Sequence, residues 1–153
     1  MNKFINILFP TPVSNTFPGY KVALFVFVLI TVMTIVRSGI HIIAPDGGAQ
    51  SIASIPLNTF SEAASSAIVL IFSLWGLAQL LMGIIYVVVF IKYKSLIPFM
   101  YVLIIVEYSV RIILGFFKPI ETLSTAPGEI GNFILIPLSI LMFILCFKFP
   151  KNA

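Results

Sequence analysis

Charge is scarce in this chain. Of 153 residues, only 9% are Asp, Glu, Lys or Arg, against about 25% in a typical soluble domain. With 60% hydrophobic residues and a mean hydropathy of +1.16, this excludes a disordered chain, a nucleic-acid-binding module and an ordinary soluble enzyme. Cysteine is nearly absent too. The single Cys146 allows neither an intrachain disulfide nor a CxxC redox pair. Near the end of the last apolar run it reads as a small packing residue. There is one histidine, His41, and no Gly-Lys-Ser/Thr sequence, so neither a metal site nor a phosphate loop has support. No cofactor is expected. The net charge is +4, but the basic residues are scattered, which suits membrane orientation and not a nucleic-acid surface.

What is present is apolar length. Four runs, Val22 to Ile43, Ala63 to Ile91, Leu96 to Phe117 and Ile130 to Phe149, match the roughly 20 residues needed to cross a hydrocarbon core of ~30 Å. None alternates with period two, so a strand reading fails. The expected fold is all-α: a polytopic membrane protein with a four-helix bundle over residues 20–149, in contact with the lipid bilayer. Residues 1–19 form an N-terminal cytoplasmic or interfacial segment, and 150–153 a cytoplasmic tail. Pro10, Pro12 and Pro18 break the first apolar stretch, which argues against a signal peptide. Phe4, Ile5, Ile7, Leu8 and Phe9 suit a short interfacial anchor, with a frayed tail as the alternative. Thr59 and Glu62 have the spacing of a capping box for the second helix. Thr125, Pro127 and Glu129 offer cap, first-turn proline and first-turn acid for the fourth. Pro137 lies inside that fourth run.

The charges sort by side. Lys3, Lys21, Lys92, Lys94, Lys148 and Lys151 fall at one end of the spans. Asp46, Glu62, Glu121 and Glu129, with Lys118, fall at the other. The positive-inside rule then expects both termini in the cytoplasm and the connections 44–62 and 118–129 outside. Asp46, Gly47 and Gly48 read as a tight turn in the first of these connections. The two odd-numbered spans end alike, in VRSGIHIIAP and VRIILGFFKP. The arginine stands eight residues before a proline in both, and an acid follows each time. This suggests two duplicated helical hairpins, with both arginines at similar depth.

Sorting the charges leaves Arg37, Glu107 and Arg111 inside the spans, joined by His41 and Gln79. A charge at that depth costs about 2.5 kcal/mol or more. Such groups pair inside the bundle or face a water-filled cavity. Glu107 lies about 16 Å into its helix, near the midplane. Arg111, four residues on, shares its face. The stripe Ser73, Gly76, Gln79 and Gly83 on the second helix suits close helix approach. On the fourth helix, Gly128, Asn132, Leu135, Ser139, Met142 and Cys146 line up in the same way. These stripes predict a polar cluster of Arg37, Gln79, Glu107 and Arg111 on the bundle axis, with His41 nearer the outer mouth. Trp75 reads as packing.

GLAQLLMG in the second span, VRIILG in the third, the stripe of Thr34, Arg37, Ser38 and His41 in the first and the proline that follows it together resemble small uncharacterised four-helix bacterial membrane proteins of the DoxX-like families. The resemblance covers about residues 20–149. It implies a four-helix bundle in the bacterial inner membrane.

The functional expectation is a non-enzymatic transport, binding or accessory subunit, homo-oligomeric or joined to a larger membrane partner. Two arginines against one carboxylate favour an anionic small molecule or a lipid headgroup, reached from the outer side. One alternative is a structural or assembly protein whose ion pairs satisfy one another. Another is a small membrane enzyme acting on a lipid or quinone, with His41 and Glu107 the plausible acid-base groups.

Overall fold

The computed structural model describes residues 3–147. They form five helices: α1 (Lys3–Leu8), α2 (Lys21–Ile43), α3 (Glu62–Lys92), α4 (Ile97–Phe117) and α5 (Pro127–Leu145). Among the described residues there is no strand. Helices α2 to α5 are each long and apolar enough to cross a bilayer, which makes the chain a multi-pass membrane protein. The bounds lie close to the expected ones except in the fourth span. That helix starts at Pro127 and ends at Leu145, and the last part of the expected run, 148–149, lies outside the described residues. At 1.5 Å per residue, α3 is about 46 Å long and exceeds the ~30 Å core, so part of it projects or the helix tilts.

The four spans pack as two hairpins. Helix α2 runs along α3, and α4 along α5. Helix α2 also touches α5, whereas α3 and α4 meet only briefly. In lipid this packing gains little from excluding water, so close contact carries it. Gly76 and Gly83 allow that contact. A Cβ on Gly76 would stand 2.6 Å from His41 Cβ, and one on Gly83 2.8 Å from Ile35 Cγ1. The expected small-residue stripe of α3 is thus spent inside the bundle, against α2.

The inner core is aromatic. Phe27 packs edge-on against Tyr86 and Tyr101, with ring centroids 5.4 and 5.8 Å away. The Tyr101 hydroxyl donates to the Ala23 carbonyl at 2.6 Å, which meets the need of a buried phenol for a partner. Cys146 is fully buried in the same core, as its apolar reading expects. Helix α5 runs on past Pro137.

The N-terminal segment is folded against the bundle, which overturns the frayed-tail alternative. Ser14 and Ser95 exchange two bonds. Ser14 N–H donates to Ser95 Oγ at 2.9 Å, and Ser95 N–H donates to the Ser14 carbonyl at 3.2 Å. Phe9 packs against Phe99 with the rings tilted by 49°, and Tyr20 N–H donates to the Leu145 carbonyl. The segment is therefore strapped across the α3–α4 turn at the lysine-bearing end.

Two cap assignments need correction. The α3 cap is Ser61, whose side chain accepts from Ala64 N–H at 3.3 Å. Thr59 is drawn instead into a 3-10 turn over Leu57–Thr59, where its hydroxyl donates to the Pro56 carbonyl. At α5 the cap position falls on Ala126 and not on Thr125, with no side-chain bond. Pro127 and Glu129 hold their expected first-turn places.

Candidate functional site: an arginine–tryptophan cluster within the spans

Helical periodicity puts Trp75 and Gln79 on one face of α3, and Glu107 and Arg111 on one face of α4. The structure brings these four together with Arg37 of α2. Arg37 Nε donates to Gln79 Oε1 at 3.2 Å. Arg111 donates to the Glu107 carboxylate in an intrahelical ion pair. The Arg37 guanidinium carbon lies 5.7 Å from the Trp75 ring centroid and that of Arg111 4.8 Å. Tyr108 adds a second ring, 5.1 Å from Arg111. A guanidinium over an aromatic face gains about 0.5–2 kcal/mol, which offsets part of the cost of holding charge in a span. Arg37 and Arg111 each stand six residues before their helix ends, and both reach the same indole.

Trp75 is the residue that sequence reasoning missed. It is a contact platform between two cations, not packing alone. The available signal was its position four residues before Gln79, which gives the two a common face.

His41 occupies the side of the cluster nearest the α2–α3 connection. It is buried, and its ring lies 4.8 Å from that of Trp75 and 5.8 Å from that of Phe72. Its Nδ1 meets the Gly47 carbonyl at 2.7 Å. A carbonyl only accepts, so Nδ1 carries the proton. His41 therefore couples the cluster to the connection 44–61. There Asp46 accepts from the N–H groups of Gly48, Gln50 and Ser51 at 2.9, 3.1 and 2.6 Å. Partial burial pushes the Asp46 carboxyl up, but these backbone donors outweigh it and hold the pKa down at about 2. Gly47 and Gly48 have φ of +59° and +76°, the left-handed geometry that glycine adopts without strain. The tight turn read from the sequence is there.

Two concavities adjoin the cluster. One, of ≈ 530 Å³, lies between α4 and α5 at the end away from the lysines of the α3–α4 turn, where Arg111, Lys118, Glu129 and Asn132 contribute its polar lining. Asn132 Oδ1 is buried there without a partner. The other, of ≈ 320 Å³, lies between α3 and α4 and includes Gln79 and Glu107 in its wall. All five residues singled out in the sequence thus lie in or beside one assembly, with His41 serving the loop. The chain matches no protein-family model, no curated protein and no solved structure.

Proposed function

We propose that this membrane protein is a non-enzymatic binding or accessory subunit whose arginine cluster receives an anionic group from the outer side. The supporting observation is the charge balance around Trp75. Two guanidiniums share one carboxylate, that of Glu107, leaving one positive charge uncompensated within the spans. Arg111 and Lys118 both line the outer cavity and outnumber its one carboxylate, Glu129, so an anionic lipid headgroup or a small carboxylate would meet a net positive lining. Under this proposal the lysine-bearing end faces the cytoplasm of a bacterial inner membrane, in line with the DoxX-like resemblance. The cavity then opens to the outer leaflet.

A second reading has its own support. Each arginine already has a partner, Gln79 or Glu107, as in a structural network that pins α2, α3 and α4. Lipid retention separates the two. The protein is assembled in nanodiscs of mixed phosphatidylcholine and phosphatidylglycerol, transferred to detergent, and weighed by native mass spectrometry. The binding proposal expects enrichment of phosphatidylglycerol, lost in Arg111→Gln. Retention in proportion to the mixture, with Arg111→Gln only less stable, supports the structural reading instead.

A further inference from the structure

The cleft between α3 and α4 has features that the anion reading does not use. It lies at mid-helix, between Trp75 and Tyr86 on α3 and between Leu103 and Glu107 on α4, with Thr34 of α2 behind. Ala78 and Val106 are exposed on the bundle surface at its rim. An occupant at this depth arrives laterally from the lipid. The walls are largely apolar, through Met82, Leu103 and Val106. The volume of ≈ 320 Å³ falls at the lower end of the range for small-molecule sites, about 300–1,000 Å³.

One polar group in the wall lacks a partner. Gln79 is only 5% exposed, and its Oε1 is occupied by Arg37. The Arg37 Nε–H can only donate, so the amide orientation is fixed and the NH2 is what remains. That Nε2 is buried with no acceptor, an exception that calls for a missing partner. Glu107 lines the same cleft, and its side chain is 37% exposed. Beyond its bond from Arg111, the carboxylate has room to accept another donor. The cleft therefore offers the Gln79 donor and the Glu107 acceptor, with the Tyr86 phenol also in its wall.

The geometry points to a site for a lipid-soluble molecule with a neutral, hydroxyl-bearing head. The hydroxyl would accept from Gln79 Nε2 and donate to Glu107, and the apolar tail would leave between α3 and α4 into the bilayer. An anionic head would meet the Glu107 carboxylate, and a hydrocarbon without a head would leave Gln79 unpartnered. Neither arginine lines this cleft, so the site stands or falls apart from the anion reading.

The test is photo-crosslinking in nanodiscs with a diazirine-tagged long-chain alcohol. The alkane and the carboxylate of the same chain length, tagged alike, serve as comparisons. The alcohol should mark peptides containing residues 75–86 and 103–107 and be displaced by untagged alcohol. Gln79→Leu should lower this labelling about tenfold, the worth of one hydrogen bond to a buried group. Ala78→Phe fills the rim from an exposed position and leaves every polar group in place. It should abolish the labelling without lowering the melting temperature, and it decides the matter if Gln79→Leu does not fold. Equal labelling by the alkane, stronger labelling by the carboxylate, or unchanged labelling of Ala78→Phe would each overturn the proposal.

Discussion

The hairpin α2–α3 and the hairpin α4–α5 carry their arginines at matching places and then part ways at the connecting turn. In the first, residues 44–61 fold on themselves. Asp46 gathers three backbone N–H groups, His41 holds the Gly47 carbonyl, and Ala49, Ile55 and Leu57 form a small core against Ile68, Val69 and Phe72. In the second, residues 118–125 lie exposed, held to the first loop by Leu123 N–H on the Ser54 carbonyl and by the Ser54 and Ser124 hydroxyls. The hairpin contacts differ likewise. Gly76 and Gly83 of α3 are enclosed against α2, whereas a Cβ on Gly115 of α4, like one on Gly39 of α2, would meet nothing within 4 Å. One hairpin is the frame, and the other leaves room beside Arg111. A site that must admit a ligand is drawn from the less enclosed half.

The strongest way to break this contrast is to substitute glycines in both hairpins. Gly76→Leu should force α2 from α3 and cost about 1–3 kcal/mol, the usual penalty of overpacking. Gly115→Leu should leave the thermal melt in detergent unchanged. Equal losses would mean that the hairpins are packed alike. Next comes His41→Leu, which removes the donor to Gly47 and leaves a buried carbonyl unsatisfied, at about 1–2 kcal/mol. Hydrogen exchange should quicken across residues 44–61 and at Leu123, whose N–H is held by Ser54, and stay unchanged across α5.

Glu107→Gln should have a smaller effect on stability, about 1 kcal/mol or less, because the pair is partly exposed and polar pairs within membranes contribute little on average. It should at the same time raise the affinity for an anionic lipid, since the competing carboxylate is gone. Unchanged lipid selectivity in this variant would count against the anion proposal. The last test is one of pH, at Asp46. Its pKa is depressed from 3.8 to about 2. Its contribution to stability is therefore full above about pH 4 and is lost as the pH falls through 2. Melting curves taken between pH 5 and pH 2 should fall more steeply for the native chain than for Asp46→Asn.

Much of this was legible in the sequence, because lipid leaves few choices. A run of about 20 apolar residues must be helical, and the isolated Arg37, Gln79, Glu107 and Arg111 had to find one another or water. The closeness of α2 and α3 was also legible, through the stripe Gly76, Gln79 and Gly83. Trp75 was not, since an aromatic in an apolar run gives no sign of which neighbours its face meets. Ser61 and Thr59 were chemically equivalent caps, and only the turn after Pro56 decided between them. The Ser14–Ser95 pairing joins residues distant in the chain and leaves no local pattern.

Trp75 is the chain's single tryptophan, and both guanidiniums lie over its ring. Its fluorescence therefore reports on the cluster with no labelling. In phosphatidylcholine nanodiscs, titration with phosphatidylglycerol should shift its emission saturably. The shift should vanish in Arg111→Gln and be absent with a neutral lipid. An emission spectrum indifferent to phosphatidylglycerol, or one that shifts equally in Arg111→Gln, would contradict an anion held at Arg111 beside Trp75.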